Sequence, residues 1–303
     1  MHVAISGSSG LVGRALATAL RSDGHDVDSL VRLCVERIRG DSAGIHWTPA
    51  TGEVDDRKMA DVELLVHLAG ESIAEGRWTE AKKARILSSR EVATRLLCET
   101  LAKMKNGPRT LICASAIGFY GDRGNDVLDE VAGPGEGFLP QVCQNWESAT
   151  RAAADAGIRV VNLRIGMVLS GEGGALTKML LPFKLGLGGR IGNGRQYWSW
   201  ITLTDLVRVI QFAIDTPVLA GPVNTVAPVA ATNLEFTKAL GQVLRRPTVF
   251  PMPGLVARIV LGQMADDLLL ASARAVPRKL EQAGFTFSLS NLDDALRHVL
   301  GKC

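Results

Sequence analysis

Residues 2–24 read HVAISGSSGLVGRALATALRSDG, and the fold follows from this stretch. HVAIS is a short apolar run of strand length. GSSGLVG then places Gly7, Gly10 and Gly13 in a G-x-x-G-x-x-G turn, and the apolar residues that follow recur at helical spacing. A strand that passes through such a turn into a helix opens a βαβ unit. Each glycine has a task at this spacing. Gly7 permits the sharp turn, Gly10 lets the backbone approach a pyrophosphate, and Gly13 lets the helix lie close to the sheet. The helix start offers free N–H groups and a positive dipole end to phosphates.

Working outward, Asp26 to Val31 reads as the second strand. ELLVHLAG (63–70), TLICAS (110–115) and RVVNLRIG (159–166) read as further strands. Residues 78–104 and 137–156 read as helices. Strands that are apolar throughout and alternate with helices imply a parallel sheet covered on both faces. The fold class is therefore α/β: a Rossmann-type, doubly wound parallel sheet with a smaller, mostly helical C-terminal substrate lobe. Residues 1–166 are expected to form mainly the dinucleotide-binding domain, with the sheet completed by parts of 200–230, and 167–303 the substrate lobe. LTDLVRVIQFAID reads as an amphipathic helix that Thr204 or Asp205 can cap. NLEFTKALGQVL and GLVARIVLGQMADDLLL read as later helices, and GPVNTVA as a short strand.

The end of the second strand separates two cofactors. An acidic residue there binds a ribose 2′-hydroxyl and repels a 2′-phosphate. Asp26 and Asp28 fall too early, and the strand ends at Arg32. A guanidinium suits a phosphate, so the expected cofactor is NADP(H) rather than NAD(H).

Composition narrows the rest. The chain has 303 residues, 47% of them hydrophobic, and a net charge of +3 with acids and bases intermixed. That gives no argument for nucleic acid or an anionic membrane as partner. The longest apolar runs are too short to span a bilayer. The N-terminus enters a strand directly, so a cytoplasmic protein is expected. Five widely spaced cysteines form no CxxC or Cys/His cluster, so free thiols and no metal are expected.

The glycine turn, HLAG (67–70) and ASAIGFYG (114–121) resemble the extended and atypical short-chain dehydrogenase/reductase superfamily. GRWTEAKKARILSSR (76–90), CQNWE (143–147), LPFKLGLGGRIGNGRQYWSWI (181–201) and NTVAPVAATNLEF (224–236) narrow the resemblance to its SDR39U1-like epimerase family. Bacterial members are often labelled cell-division inhibitors or nucleoside-diphosphate-sugar epimerases. The resemblance covers almost the whole chain, including a family-typical segment from about 245. It implies cofactor contacts at Gly7, Ser9, Gly10, Leu11, Val12 and Arg32, with Leu68 and Ala69 flanking the adenosine ribose. Arg90 can reach the ribose–phosphate portion. Arg85 lies five residues earlier on the same helix, and for either arginine a plain helix-surface role stays open.

The superfamily's proton chemistry uses a Ser, a Tyr and a Lys four residues beyond the Tyr. Laid over this chain, the pattern puts the Tyr and Lys at Cys143 and Glu147, and the Ser at Ala116. Ser115 is adjacent, but neighbours on a strand face opposite sides. Ser115, Tyr120 and Glu147 are the candidate catalytic residues. Glu147 either works as an acid or base beside Trp146 or anchors the fold by hydrogen bonds; Tyr120 either donates a proton or packs. Phe183, Arg195, Gln196, Trp198 and Trp200 are the candidate substrate pocket. The same aromatic segment can instead dock the C-terminal part onto the main domain. The family's S-W-I-H reads S-W-I-T here, with Thr202 in place of the His.

Two functions follow as expectations. One is an NADP(H)-dependent oxidoreductase or epimerase, monomer or homodimer, acting on a small polar molecule. The other is a non-catalytic NADP(H)-binding regulator or scaffold.

Overall fold

The computed structural model describes residues 1–32 and 44–302. Cys34 and Cys303 lie outside the described residues. Its centre is an eight-stranded sheet. The strands are β1 (His2–Ser6), β2 (Asp26–Arg32), β3 (Ile45–Thr48), β4 (Glu53–Val54), β5 (Leu64–His67), β6 (Thr110–Ala116), β7 (Arg159–Ile165) and β8 (Gly221–Thr225). Their order is β8-β7-β6-β5-β1-β2-β3-β4, parallel throughout except for the β3–β4 edge. The order reverses between β1 and β5, the switch point where ligands bind in open α/β sheets.

The strands are apolar on both sides because both sides are covered. Val3, Ile5, Leu64, Val66, Ile112, Val161, Leu163 and Val223 face α1 (Leu11–Ser22) and the later helix Leu203–Asp215. Ala4, Leu65, Leu111, Cys113 and Val160 point the other way, onto α2 (Glu80–Lys103) and α3 (Phe138–Ser148). Helix α3 ends at Ser148, and a separate turn of helix covers Arg151–Asp155, so the continuous helix expected over 137–156 is broken.

A third apolar cluster holds the C-terminal residues together. Leu169, Phe183, Trp198, Trp200, Phe236 and Leu296 are buried in it. Around it lie α4 (Gly174–Lys184), α6 (Asn233–Leu244) and α8 (Leu292–Val299), with α5 (Leu203–Asp215) joining it to the sheet, while α7 (Gly254–Leu261) packs through Leu261 on a separate cluster with Trp78, Ile86 and Leu139. Thr202, not Thr204 or Asp205, caps α5: its hydroxyl accepts the Asp205 N–H at 3.1 Å. Thr232 and Glu235 form a reciprocal capping box on α6. Gly262, at a φ of 63°, interrupts the expected helix 254–270.

Candidate functional site

The switch-point crevice is built by close backbone approach. Gly7 has a φ of 71°, and a Cβ there would lie 2.9 Å from the Leu68 carbonyl carbon. At Gly13 a Cβ would lie 2.3 Å from the Gly7 oxygen. Only glycine fits either position. Helix α1 starts at Gly10 with no side-chain cap, so its first-turn N–H groups stay available to an anion. Ser9 and Gly10 are exposed there, and Leu11 and Val12 half-exposed.

A buried polar latch fixes the floor. Ser6 Oγ accepts the Leu68 and Ala69 N–H groups at 3.1 and 3.3 Å. Its single proton is then directed to His67 Nδ1, 2.7 Å away, which leaves His67 Nε2 to donate to Thr94 Oγ1 at 3.2 Å. Burial pushes the imidazole down to about 4, so it is neutral at ordinary pH. Leu68 and Ala69 follow β5 as an irregular strip whose N–H groups the latch holds.

Three arginines sit around this crevice in different states. Arg32 ends β2 exposed, with no carboxylate partner among the described residues. Arg90 is part-buried. Its guanidinium lies 5.0 Å from the centre of a Trp146 ring and 3.2 Å from where a Gly70 side chain would stand. Its hydrogen bonds go to the Ile86 carbonyl and the Ser89 hydroxyl, and burial lowers its pKa. A cation whose hydrogen-bond partners are both neutral, beside an exposed glycine, suits a phosphate-bearing ligand. Arg85 is largely exposed, 3.5 Å from Glu71, which Lys82 also binds at 2.7 Å. It points to that ion pair rather than the crevice.

Next along the strand ends lies a polar network that the register creates. Ser115 on β6, Arg164 on β7 and Asn224 on β8 are direct neighbours across the sheet. Glu147 reaches down from α3. Its Oε1 accepts the Ser115 hydroxyl at 2.7 Å and Arg164 Nε–H at 2.8 Å, and its Oε2 accepts Arg164 Nη2–H at 2.8 Å. Arg164 is 4% exposed and Glu147 13%. Burial works to lower the Arg164 pKa, but the paired carboxylate outweighs it and leaves the group above its ordinary value. The guanidinium also stacks 3.5 Å from the centre of Phe119 and donates to Tyr120 Oη at 3.0 Å.

The structure thus brings Ser115, Glu147 and Tyr120 together, but Tyr120 is fully buried. Its hydroxyl sits 2.7 Å from Asn224 Oδ1 and 2.9 Å from the Asp129 carbonyl. Burial raises its pKa. Tyr120 is therefore a core anchor rather than a proton donor facing a cleft. Cys143 is buried too, and burial pushes its thiol up to about 12. It has neither the phenol's acidity nor access to solvent.

The aromatic segment also differs from the expected wall. Phe183, Trp198 and Trp200 fill the third cluster, Trp200 with no exposure at all. Gln196 is buried and donates to the Ile191 and Leu269 carbonyls. Arg195 alone of the five is exposed. The segment docks the C-terminal elements because its aromatics alternate inward along two short strands, Tyr197–Trp198 and Trp200–Thr202. Sequence reading missed Arg164, Asn224 and Glu130, a buried carboxylate that accepts the Asn224 N–H at 3.0 Å.

Residues 3–226 match the NAD dependent epimerase/dehydratase family. The chain belongs to this family. Residues 252–299 match a domain of unknown function, DUF1731. The epimerase family protein Mb2239 of Mycobacterium bovis is 46% identical over 98% of this chain and 97% of its own length. The crystal structure of human epimerase family protein SDR39U1 with NADPH superposes with a TM-score of 0.87 at 31% identity, covering 100% of both chains. A nucleoside-diphosphate sugar epimerase structure from Corynebacterium glutamicum gives 0.80 at 37% identity, over 99% of this chain and 58% of that one. The SDR39U1-like resemblance read from the sequence is borne out.

Proposed function

We propose that this chain binds NADP(H) at the β1–β5 crevice and exchanges hydride with a small polar substrate held beside Ser115. The observation that carries the proposal is the pairing of two features at strand ends on either side of β5. One is an uncapped glycine turn with Arg32 and Arg90 available. The other is a serine hydroxyl fixed by a buried Glu147–Arg164 pair. The NADPH in the human SDR39U1 structure supports the cofactor assignment.

Gly7, Ser9, Gly10, Leu11 and Val12 would hold the pyrophosphate, and Arg32 the 2′-phosphate. Leu68 and Ala69 would flank the ribose, with Arg90 near its phosphate. When bound, the cofactor supplies the hydride chemistry. The chain's own share is orientation and charge. Because Ser115 donates its proton to Glu147, its oxygen is left to accept a further hydrogen bond; the residue is 3% exposed, so a substrate hydroxyl would have to displace its neighbours to reach it. Arg164 holds Glu147 in place through two hydrogen bonds, so the Ser115 hydroxyl stays directed at it. On hydride loss the substrate's hydroxyl proton would pass to Ser115 Oγ as the serine proton moves to Glu147, a route that stands in for the Tyr–Lys pair absent at the Cys143 and Glu147 positions.

A non-catalytic NADP(H)-binding role is the second reading. Its specific support is that Glu147 already spends both oxygens on protein partners. Deuteride transfer separates the two. NADPH deuterated at nicotinamide C4 is incubated with the protein and a metabolite extract, and products are read by mass spectrometry. Because an epimerase can return the label to its cofactor, substrate isomers are resolved in the same run. The enzyme reading expects a labelled product or a new isomer that Ser115→Ala suppresses at least a hundredfold with NADPH affinity unchanged. Neither product nor isomer, with saturable NADPH binding, would leave the binder.

A further inference from the structure

The C-terminal elements carry an apolar surface that none of the described residues covers. Ten of the sixteen exposed large hydrophobic residues among the described ones fall within residues 181–187 and 249–260. Helix α7 shows the cause. Only Ala257 in it is buried, while Leu255, Val256, Ile259 and Val260 share the outward side at 43–66% exposure. A helix that is apolar on its outer side as well as its inner one expects a further apolar partner.

The two stretches form one surface. The Met252 N–H donates to the Arg190 carbonyl at 2.8 Å, and Ile191 and Met252 form a parallel bridge. Gly189 lies against the Phe250 backbone, and Gly186 is close to Pro247. Leu185, Leu187 and Phe250, each more than half exposed, therefore adjoin α7.

Charge says what covers it. Residues 173–204 and 236–265 contain eight Lys or Arg and no Asp or Glu. Lys184 and Arg190 flank the exposed leucines. Arg245 and Arg246 open the loop to Phe250, and with Lys238 they line a shallow hollow of about 430 Å³. Among the described residues none of these five pairs with a carboxylate. The net charge of +3 for the whole chain conceals this local excess. A twofold copy of the same face would set Lys184, Arg190, Arg245 and Arg246 against their own copies, and Asp266 beside α7 is already held by Arg258 at 2.7 Å.

We infer that this face docks on an anionic lipid surface, with the α7 side chains entering the headgroup boundary and the basic rim meeting lipid phosphates. Among the described residues no helix is long and apolar enough to cross a membrane; the contact proposed is peripheral. It is independent of the reading of the crevice.

The test is flotation of the full chain with vesicles of equimolar phosphatidylglycerol and phosphatidylcholine, and with phosphatidylcholine alone. Sedimentation velocity is run without lipid. The expected result is binding to the anionic vesicles only, lost in 0.5 M NaCl. Each basic residue near such a surface strengthens partitioning about fivefold, so Arg245→Gln with Arg246→Gln should weaken it roughly thirtyfold. Leu255→Ser with Ile259→Ser should abolish it while unfolding midpoint and NADPH affinity stay put, since all four side chains are exposed. Three results would overturn the inference: equal binding to both vesicle types, variants that bind like the parent, or a lipid-free dimer that the Leu255/Ile259 variant dissociates. The last would put a second copy on this face.

Discussion

Replacing Glu147 by Gln removes one charge from the network and almost nothing from its volume. The structure gives the cost. Both carboxylate oxygens are in use, one by Arg164 Nε–H and Ser115, the other by Arg164 Nη2–H. Glutamine keeps one acceptor and turns an NH2 toward the guanidinium. Arg164, 4% exposed, is then a buried cation stacked against Phe119 and Tyr120 without the carboxylate that paired with it. Breaking a buried pair from one side costs about 3–5 kcal/mol, which in a chain of this size lowers the unfolding midpoint by roughly 5–8 °C. Differential scanning calorimetry reads this directly. Asp155→Asn, which breaks the exposed Arg151–Asp155 pair, is the control and should barely move the midpoint. A second arm uses Glu147→Leu with Arg164→Met. An apolar pair of similar volume leaves no buried charge, so most of the loss should return. A Glu147→Gln midpoint within about 2 °C of the parent would refute the reasoning, because the pair would then behave as a solvated one.

Two further outcomes follow from the crevice floor. His67 is held at about 4 by burial against an ordinary 6.5, so the unfolded chain takes up a proton at a pH where the folded chain refuses it. Stability from this site is complete above pH 6.5 and declines as pH falls toward 4, by about 3 kcal/mol in all; His67→Gln should flatten that part of a denaturation-versus-pH curve, and an unchanged slope would place the titration elsewhere. Gly13→Ala puts a Cβ 2.3 Å from the Gly7 oxygen, backbone against backbone, whereas at Gly10 the nearest atom is 3.2 Å away. The first substitution should cost NADPH affinity at least tenfold and lower the unfolding midpoint more than the second; parity between them in calorimetry would mean the turn is looser than drawn.

The parallel sheet was legible because its strands are buried on both faces, so 2–6, 110–115 and 159–166 stand out as apolar runs. The long second helix fell within two residues of its observed Glu80–Lys103 bounds. The edge strands Ile45–Thr48 and Glu53–Val54 were not found, being short and only partly apolar. The break after Ser148 has no proline or glycine to announce it. At the site, Ser115 and Glu147 were recognisable from motif spacing. Arg164 was not, because the Ser115–Arg164–Asn224 row exists only once three strands distant in sequence are in register. One signal was present: RVVNLRI carries Asn162 and Arg164 on one side of an otherwise apolar strand, and a buried arginine there needs a carboxylate nearby. The aromatic segment misled for a physical reason. Trp and Phe near Arg suit a ligand wall and a core equally, and only burial separates them.

The account rests most on the crevice being an NADP(H) site with Arg32 reading the 2′-phosphate. Titration calorimetry of the parent and Arg32→Ala with NADPH and with NADH tests it in one set of measurements. Losing charge-assisted hydrogen bonds costs about 1.5–3 kcal/mol, so the variant should bind NADPH roughly ten- to a hundredfold more weakly and NADH as before. A parent that prefers NADH, or a variant that binds NADPH like the parent, would contradict it.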